Sequence, residues 1–202
     1  MDKVFVDENG DYGLNYSNAI WATDKMHQDY HKAKVQLSDA DFLLEDEEKI
    51  IILEYKNANT KKAREAGFKT KSFNPMEDKK FTSIVRKFYD SYHYLYLLGK
   101  DKPVEYIYVV ETQNDDSTMR KRLRDRMKTQ LPFALQDNMN TGIRLIDKVD
   151  VLSIEEWNED SEYGKQKTHE RHEQKTQGLP VLCRQDRDDR LQGCCQAAPL
   201  HF

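Results

Sequence analysis

Cysteine is scarce in this 202-residue chain, with three in all, and Cys183, Cys194 and Cys195 lie close to its end. Nothing before Cys183 can form a disulfide framework or a thiolate metal site. His169, His172 and His201 share that stretch, but the spacing matches none of the usual zinc arrangements. There is no run of about 18 apolar residues, which excludes a hydrophobic spanning helix. The opening Met-Asp-Lys-Val-Phe-Val lacks a signal-peptide layout, so the expectation is a soluble, cytoplasmic protein with no membrane partner. Positive charge is also short. The formal net charge is -4, which gives no global attraction to nucleic acid and leaves any such contact to local patches. The length suits one domain with a proper core and is too short for two of ordinary size.

What the sequence does contain is a dense charged hairpin between Asp39 and Asn59. Phe42 to Leu44 is one apolar run, Glu45 to Lys49 a polar tip, and Ile50 to Tyr55 a second run rich in β-branched residues. Side chains alternate along a strand, so Glu54 and Lys56 share a face and Tyr55 takes the other. Folding back at about Asp46 to Glu48 brings Asp41, at the start of the first strand, beside Glu54, at the end of the second. Charges closing such an aliphatic run are costly to desolvate unless they are paired or bound to metal.

The pattern Asp41-x12-Glu54-x-Lys56 resembles the signature of the PD-(D/E)XK nuclease superfamily, most closely its restriction-endonuclease-like and Holliday-junction-resolvase-like members. Ala40 stands where a proline is usually written. The resemblance spans roughly residues 15–157, with the residue-level match confined to those three positions. It implies an α/β fold with a restriction-endonuclease-like core, a mixed central sheet flanked by helices. It also implies a nuclease that hydrolyses phosphodiester bonds of DNA, or RNA, with Mg2+ or Mn2+. Asp41 and Glu54 would ligate the metal together with the Tyr55 backbone carbonyl, and Lys56 would orient the attacking water. A helix ahead of the hairpin often adds a group to such sites, which makes Asp24 and His27 additional metal-ligand candidates. Cutting both strands of a duplex would favour a homodimer.

Along the chain, Val4 to Leu14 reads as a small hairpin turning at Asn9-Gly10. Its Asp7 and Asp11 resemble the first acidic motif of RNase H-like nucleases, an alternative reading of the function. Ser17 to Val35 shows helical spacing, with Ser17 as its cap. Lys34 to Leu37 is expected to begin the first core strand. Asn57 to Lys80 reads as a connection on the substrate side. Asp78 to Leu98 carries a broad apolar helical stripe that Gly99 stops.

Pro103 to Glu111 is a nearly continuous β-branched and aromatic run, as in a strand covered on both faces. Ser117 to Phe133 is a further helix opened by Asp115, Asp116 or Ser117, with Met119, Leu123, Met127 and Leu131 on one side. Arg120, Lys121, Arg122, Arg124, Arg126 and Lys128 surround that seam, a candidate nucleic-acid-binding surface. A last strand, Val149 to Ile154, is expected to close at Trp157.

Residues 165–202 hold six Gln against five in all that precedes, and no Ile, Trp or Tyr. Residues 1–160 are therefore expected to form a single nuclease-like domain, and 161–202 a disordered or non-native tail. The remaining alternative is a non-catalytic module that binds nucleic acid or protein on the same fold.

Overall fold

The computed structural model describes residues 4–6, 12–17, 19–60, 73–113, 116–159 and 182–184. The protein is α/β, built on a five-stranded mixed sheet between layers of other elements. Strands β3 (Trp21–Thr23), β4 (Phe42–Glu45), β5 (Ile50–Asn57), β6 (Val104–Glu111) and β7 (Lys148–Leu152) lie in that order. β3, β4 and β5 pair antiparallel; β5, β6 and β7 pair parallel. β5 and β6 are near-continuous apolar runs because both of their faces are covered, whereas the edge strand β7 alternates at Lys148 and Asp150.

Alternation along the strands divides the core in two. Ile50, Ile52, Tyr106, Tyr108, Val149 and Val151 face helices α1 (Met26–Ala33), α2 (Asp78–Leu97) and α3 (Ser117–Gln130). Phe42, Leu44, Ile51, Leu53, Tyr55 and Val109 face the opposite way and pack with Leu14 and Trp157. Those two come from β2 (Tyr12–Asn15) and α5 (Ile154–Glu159). β2 pairs antiparallel with β1 (Val4–Val6), as the hairpin pattern predicts; the intervening turn lies outside the described residues. β8 (Leu182–Arg184) pairs with the other edge of β2; residue 160 and the rest of the expected tail 161–202 lie outside the described residues.

The structure corrects the region before Asp41. The expected helix from Ser17 divides: its first part is the edge strand β3, and α1 begins only at Met26. Ile20 N–H donates to the Glu45 carbonyl at 2.8 Å and Trp21 pairs with Glu45. Sheet pairing thus overrides a helical spacing that rested largely on alanines. The N-cap of α1 is Lys25 rather than Ser17, whose N–H donates to Asn15 Oδ1 at 2.9 Å in a tight turn. Lys34, at φ 57°, ends α1, and Val35 to Asp41 is irregular rather than the expected first strand. Polar side chains of α2 hold this segment: Arg86 donates to the Gln36 carbonyl, Asp90 accepts the Ser38 N–H, and Ser91 accepts the Ala40 N–H.

Elsewhere the patterns match more closely. α2 ends at Leu97, followed by Gly99 at φ 68°. Asp116 is the cap of α3, accepting the Thr118 N–H at 2.8 Å. α3 stops at Gln130, ahead of Pro132, and a short helix unforeseen in the sequence, α4 (Phe133–Met139), follows. The last strand ends at Leu152, short of Ile154, because Ser153 and Glu156 open α5 there.

Candidate active site

The register of the β4–β5 hairpin places Phe42 opposite Leu53 and Leu44 opposite Ile51. Asp41, one residue before β4, therefore lies beside Glu54, three residues short of the end of β5. Asp41 Oδ2 accepts the Tyr55 backbone N–H at 2.7 Å. The N–H and C=O of one residue leave a strand by the same edge, so the Tyr55 carbonyl leaves on the side of Asp41.

Glu54 alternates with Ile52 and Ile50 and points toward α2, where its side chain is only 8 % exposed. Lys87 of α2 meets it there, with Nζ 2.7 and 2.8 Å from the two carboxylate oxygens. The same Nζ lies 4.0 Å from Asp41 Oδ1. Sharing one ammonium keeps the nearest oxygens of the two carboxylates within about 7 Å of each other; two oxygens on one Mg2+ lie at most about 4 Å apart, so joint ligation needs the carboxylates to close in or a metal-bound water to span the rest.

Burial, followed by the negative charge of Asp41, pushes the Glu54 carboxyl up to about 8 against the opposing pull of Lys87. Burial works against the charge of Lys87, but Glu54 and Asp41 outweigh it and hold the ammonium above the ordinary lysine range. Carboxyl and amine thus depend on each other for their charged forms.

These groups open onto a cavity of about 600 Å³ lined also by Asp24, His27, Asp39 and Lys56. Lys56 shares the face of Glu54 and lies exposed at the rim. His27 Nδ1 lies 3.3 Å from Asp39 Oδ1, with the ring largely in solvent. Among the described lining residues, four carboxyl groups stand against two ammonium groups, an excess of two negative charges once Glu54 is ionised. Phosphate would be repelled from such a cavity, whereas a divalent cation would be drawn into it.

The donor set available to a cation is small and hard: two carboxylates and a backbone carbonyl. Magnesium, which keeps several of its waters, fits that set. Among the described residues, no three His, Cys, Asp or Glu side chains gather as a ready metal-ligating group. Asp24 and His27 stand at the cavity wall and join no such group.

No protein-family model, curated protein or solved structure matches this chain. Its chemistry therefore follows from the geometry of the site alone.

The basic residues of α3 are not part of the cavity wall, and half of them are committed elsewhere. Arg120 is buried and bidentate to Glu156, at 2.9 Å for both hydrogen bonds. Arg124 pairs with Asp125 and Asp150, and Arg126 with Asp78 while lying over the Phe81 ring. Lys121, Arg122 and Lys128 are exposed. Asp7 and Asp11, and the stretch 61–72 of the expected substrate-side connection, lie outside the described residues.

The residue that sequence reasoning missed is Lys87. Phe81, Ile84, Phe88, Ser91 and Leu95 form the buried stripe of α2, and position 87 falls three residues after Ile84 and four before Ser91. A lysine on the edge of a buried helical stripe needs a partner, and that was the available signal. Ser91, fully buried, and Asp90 carried the same signal.

Proposed function

We propose that this protein is a divalent-metal-dependent nuclease with a PD-(D/E)XK-type site on a restriction-endonuclease-like core, hydrolysing phosphodiester bonds of DNA. One observation carries the reading: Asp41 and Glu54 meet side by side across the two strands of one hairpin, with the Tyr55 N–H donating to Asp41 and Lys56 on the rim of the same electronegative cavity. Asp41, Glu54 and the Tyr55 carbonyl are the groups that would hold Mg2+ or Mn2+. Such a cation supplies an activated water, charge stabilisation at phosphorus and assistance to the departing oxygen. Lys56 would orient the nucleophilic water and stabilise negative charge developing on the phosphoryl oxygens. No helix among the described residues is long and apolar enough to cross a membrane. DNA is the proposed partner, RNA the alternative polymer, and a homodimer the assembly that cleavage of both strands would call for.

The experiment is a plasmid-nicking assay with Mg2+ or Mn2+, extended to linear, single-stranded, junction and RNA substrates. Asp41→Asn and Glu54→Gln are expected to fall to background and Lys56→Ala to lose turnover while still binding metal by calorimetry. Lys56→Ala cleaving at the wild-type rate removes the assigned role. Wild-type protein that binds no cation and cuts no substrate removes the nuclease reading.

A second reading has its own observation. The Glu54–Lys87 pair satisfies both charges internally, as a binding module that lacks catalysis would have it. On that reading Glu54→Gln leaves nucleic-acid affinity unchanged and calorimetry finds no site for Mn2+.

A further inference from the structure

Lys87 stands where a cation would approach Glu54. Its Nζ touches both carboxylate oxygens and lies 4.0 Å from Asp41 Oδ1, so it already acts as the counter-ion of the carboxylate pair. A metal ligated by Glu54 would sit about 2 Å from one of those oxygens, within repulsive distance of an ammonium held at the same carboxylate. The two cations cannot share that place.

The surroundings leave the lysine one way out. Beneath it the sheet is closed by Tyr108, the register partner of Glu54, and by Tyr106, both fully buried. On the other side Lys87 lines the cavity, with 24 % of its side chain exposed. Four rotatable side-chain bonds let the ammonium turn outward while its stem stays on α2.

We propose that Lys87 exchanges partners: it holds Glu54 while the site carries no divalent cation, and turns into the cavity to contact a phosphate oxygen of the substrate when a cation occupies Asp41 and Glu54. This rests on the nuclease reading and deepens it by adding a catalytic cation from α2 to the one that the hairpin supplies through Lys56. It also gives the cation-free protein a counter-ion for its buried carboxylate.

The test is amine acetylation of the full-length wild-type protein, mapped by mass spectrometry with and without Mn2+ or Ca2+. Lys79 and Lys80, exposed on the same helix, serve as references. The Lys87 acetylation rate is expected to rise severalfold on cation binding while the references stay constant. A Lys87 rate that stays flat although calorimetry reports a bound cation overturns the exchange and leaves the nuclease reading standing. No bound cation overturns both.

In turnover, Lys87→Met is expected to lower kcat about a hundredfold, the scale for removing one charge-stabilising group, with little change in KM. Lys87→Arg should recover part of the loss. Lys87→Met that cleaves at the wild-type rate, with an unchanged circular-dichroism spectrum, also overturns the proposal.

Discussion

Ser91 Oγ, on the buried stripe of α2, accepts the Ala40 N–H at 2.9 Å, so a core helix fixes the backbone next to Asp41. Asp90 Oδ2 accepts the Ser38 N–H at 2.6 Å, and Arg86 both holds Asp90 and reaches the Gln36 carbonyl. An irregular segment is thereby given a fixed course without strand pairing of its own.

Ser91→Ala is expected to leave the buried Ala40 N–H without its acceptor, at a cost of about 1–3 kcal/mol in urea unfolding. Asp41 should then lose its fixed position, and the affinity for Mn2+ measured by calorimetry should fall along with stability. A Ser91→Ala protein that loses stability but binds Mn2+ as tightly as wild type would show that this seam does not govern the site.

Stability without metal should depend on pH through Glu54. Its pKa rises from an ordinary 4.5 when unfolded to about 8 when folded. The contribution to stability is therefore fully present below about pH 4.5 and is lost as pH rises through 8. Wild-type protein in chelator should lose stability between about pH 5 and pH 9, on the order of a few kcal/mol. Glu54→Gln should flatten that part of the profile. Thermal melts across the range decide it, and a wild-type curve that is flat or rises there counts against the assignment.

Ser153 and Glu156 form a reciprocal cap at the start of α5. The Glu156 N–H donates to Ser153 Oγ, the Ser153 N–H donates to Glu156 Oε2, and the same carboxylate accepts both hydrogen bonds from buried Arg120. Ser153→Ala should cost about 1 kcal/mol. Glu156→Ala should cost more, about 1–3 kcal/mol, because it takes two hydrogen bonds from a buried guanidinium; the partial exposure of Glu156 moderates the loss. Burial raises the Glu156 carboxyl, but Arg120 and the Ser153 N–H outweigh this and hold it below the ordinary glutamate range. Its contribution is thus present above that range and lost as pH falls through the depressed value, which urea unfolding at acid and neutral pH would register.

The α3 arginines and lysines should separate in two assays. Arg120 and Arg124 pair with acidic groups of other elements, and Arg126 donates to the Met76 carbonyl and lies over the Phe81 ring, so their alanine variants should lose stability. Replacing exposed Lys121, Arg122 and Lys128 together by alanine should leave stability within about 0.5 kcal/mol. If this face meets DNA, the salt dependence of binding should become shallower by roughly 0.9 for each phosphate no longer neutralised. An unchanged slope by fluorescence anisotropy would remove α3 from the interface.

The helical stripe from Phe81 to Leu95, the buried run of β6 and the β4–β5 hairpin were legible because each is a local pattern of period 3.6 or 2. The hairpin also made the Asp41–Glu54 meeting legible, since a tight turn fixes the strand register. β3 was not legible, because Trp21 to Thr23 become a strand only by pairing with Leu43 to Glu45, well separated along the chain. The basic density of α3 was plain in the sequence, but the buried pairing of Arg120 depends on Glu156, from a different element.

The sequence by itself determined which residues alternate faces in the hairpin, and so which two carboxylates come together. Only the tertiary structure decided that Lys87 sits between those carboxylates and that α2 fixes the course of the chain into Asp41. Backbone geometry over a few residues follows from local spacing, whereas a helix side chain finds its ion partner only once the helix has docked on the sheet.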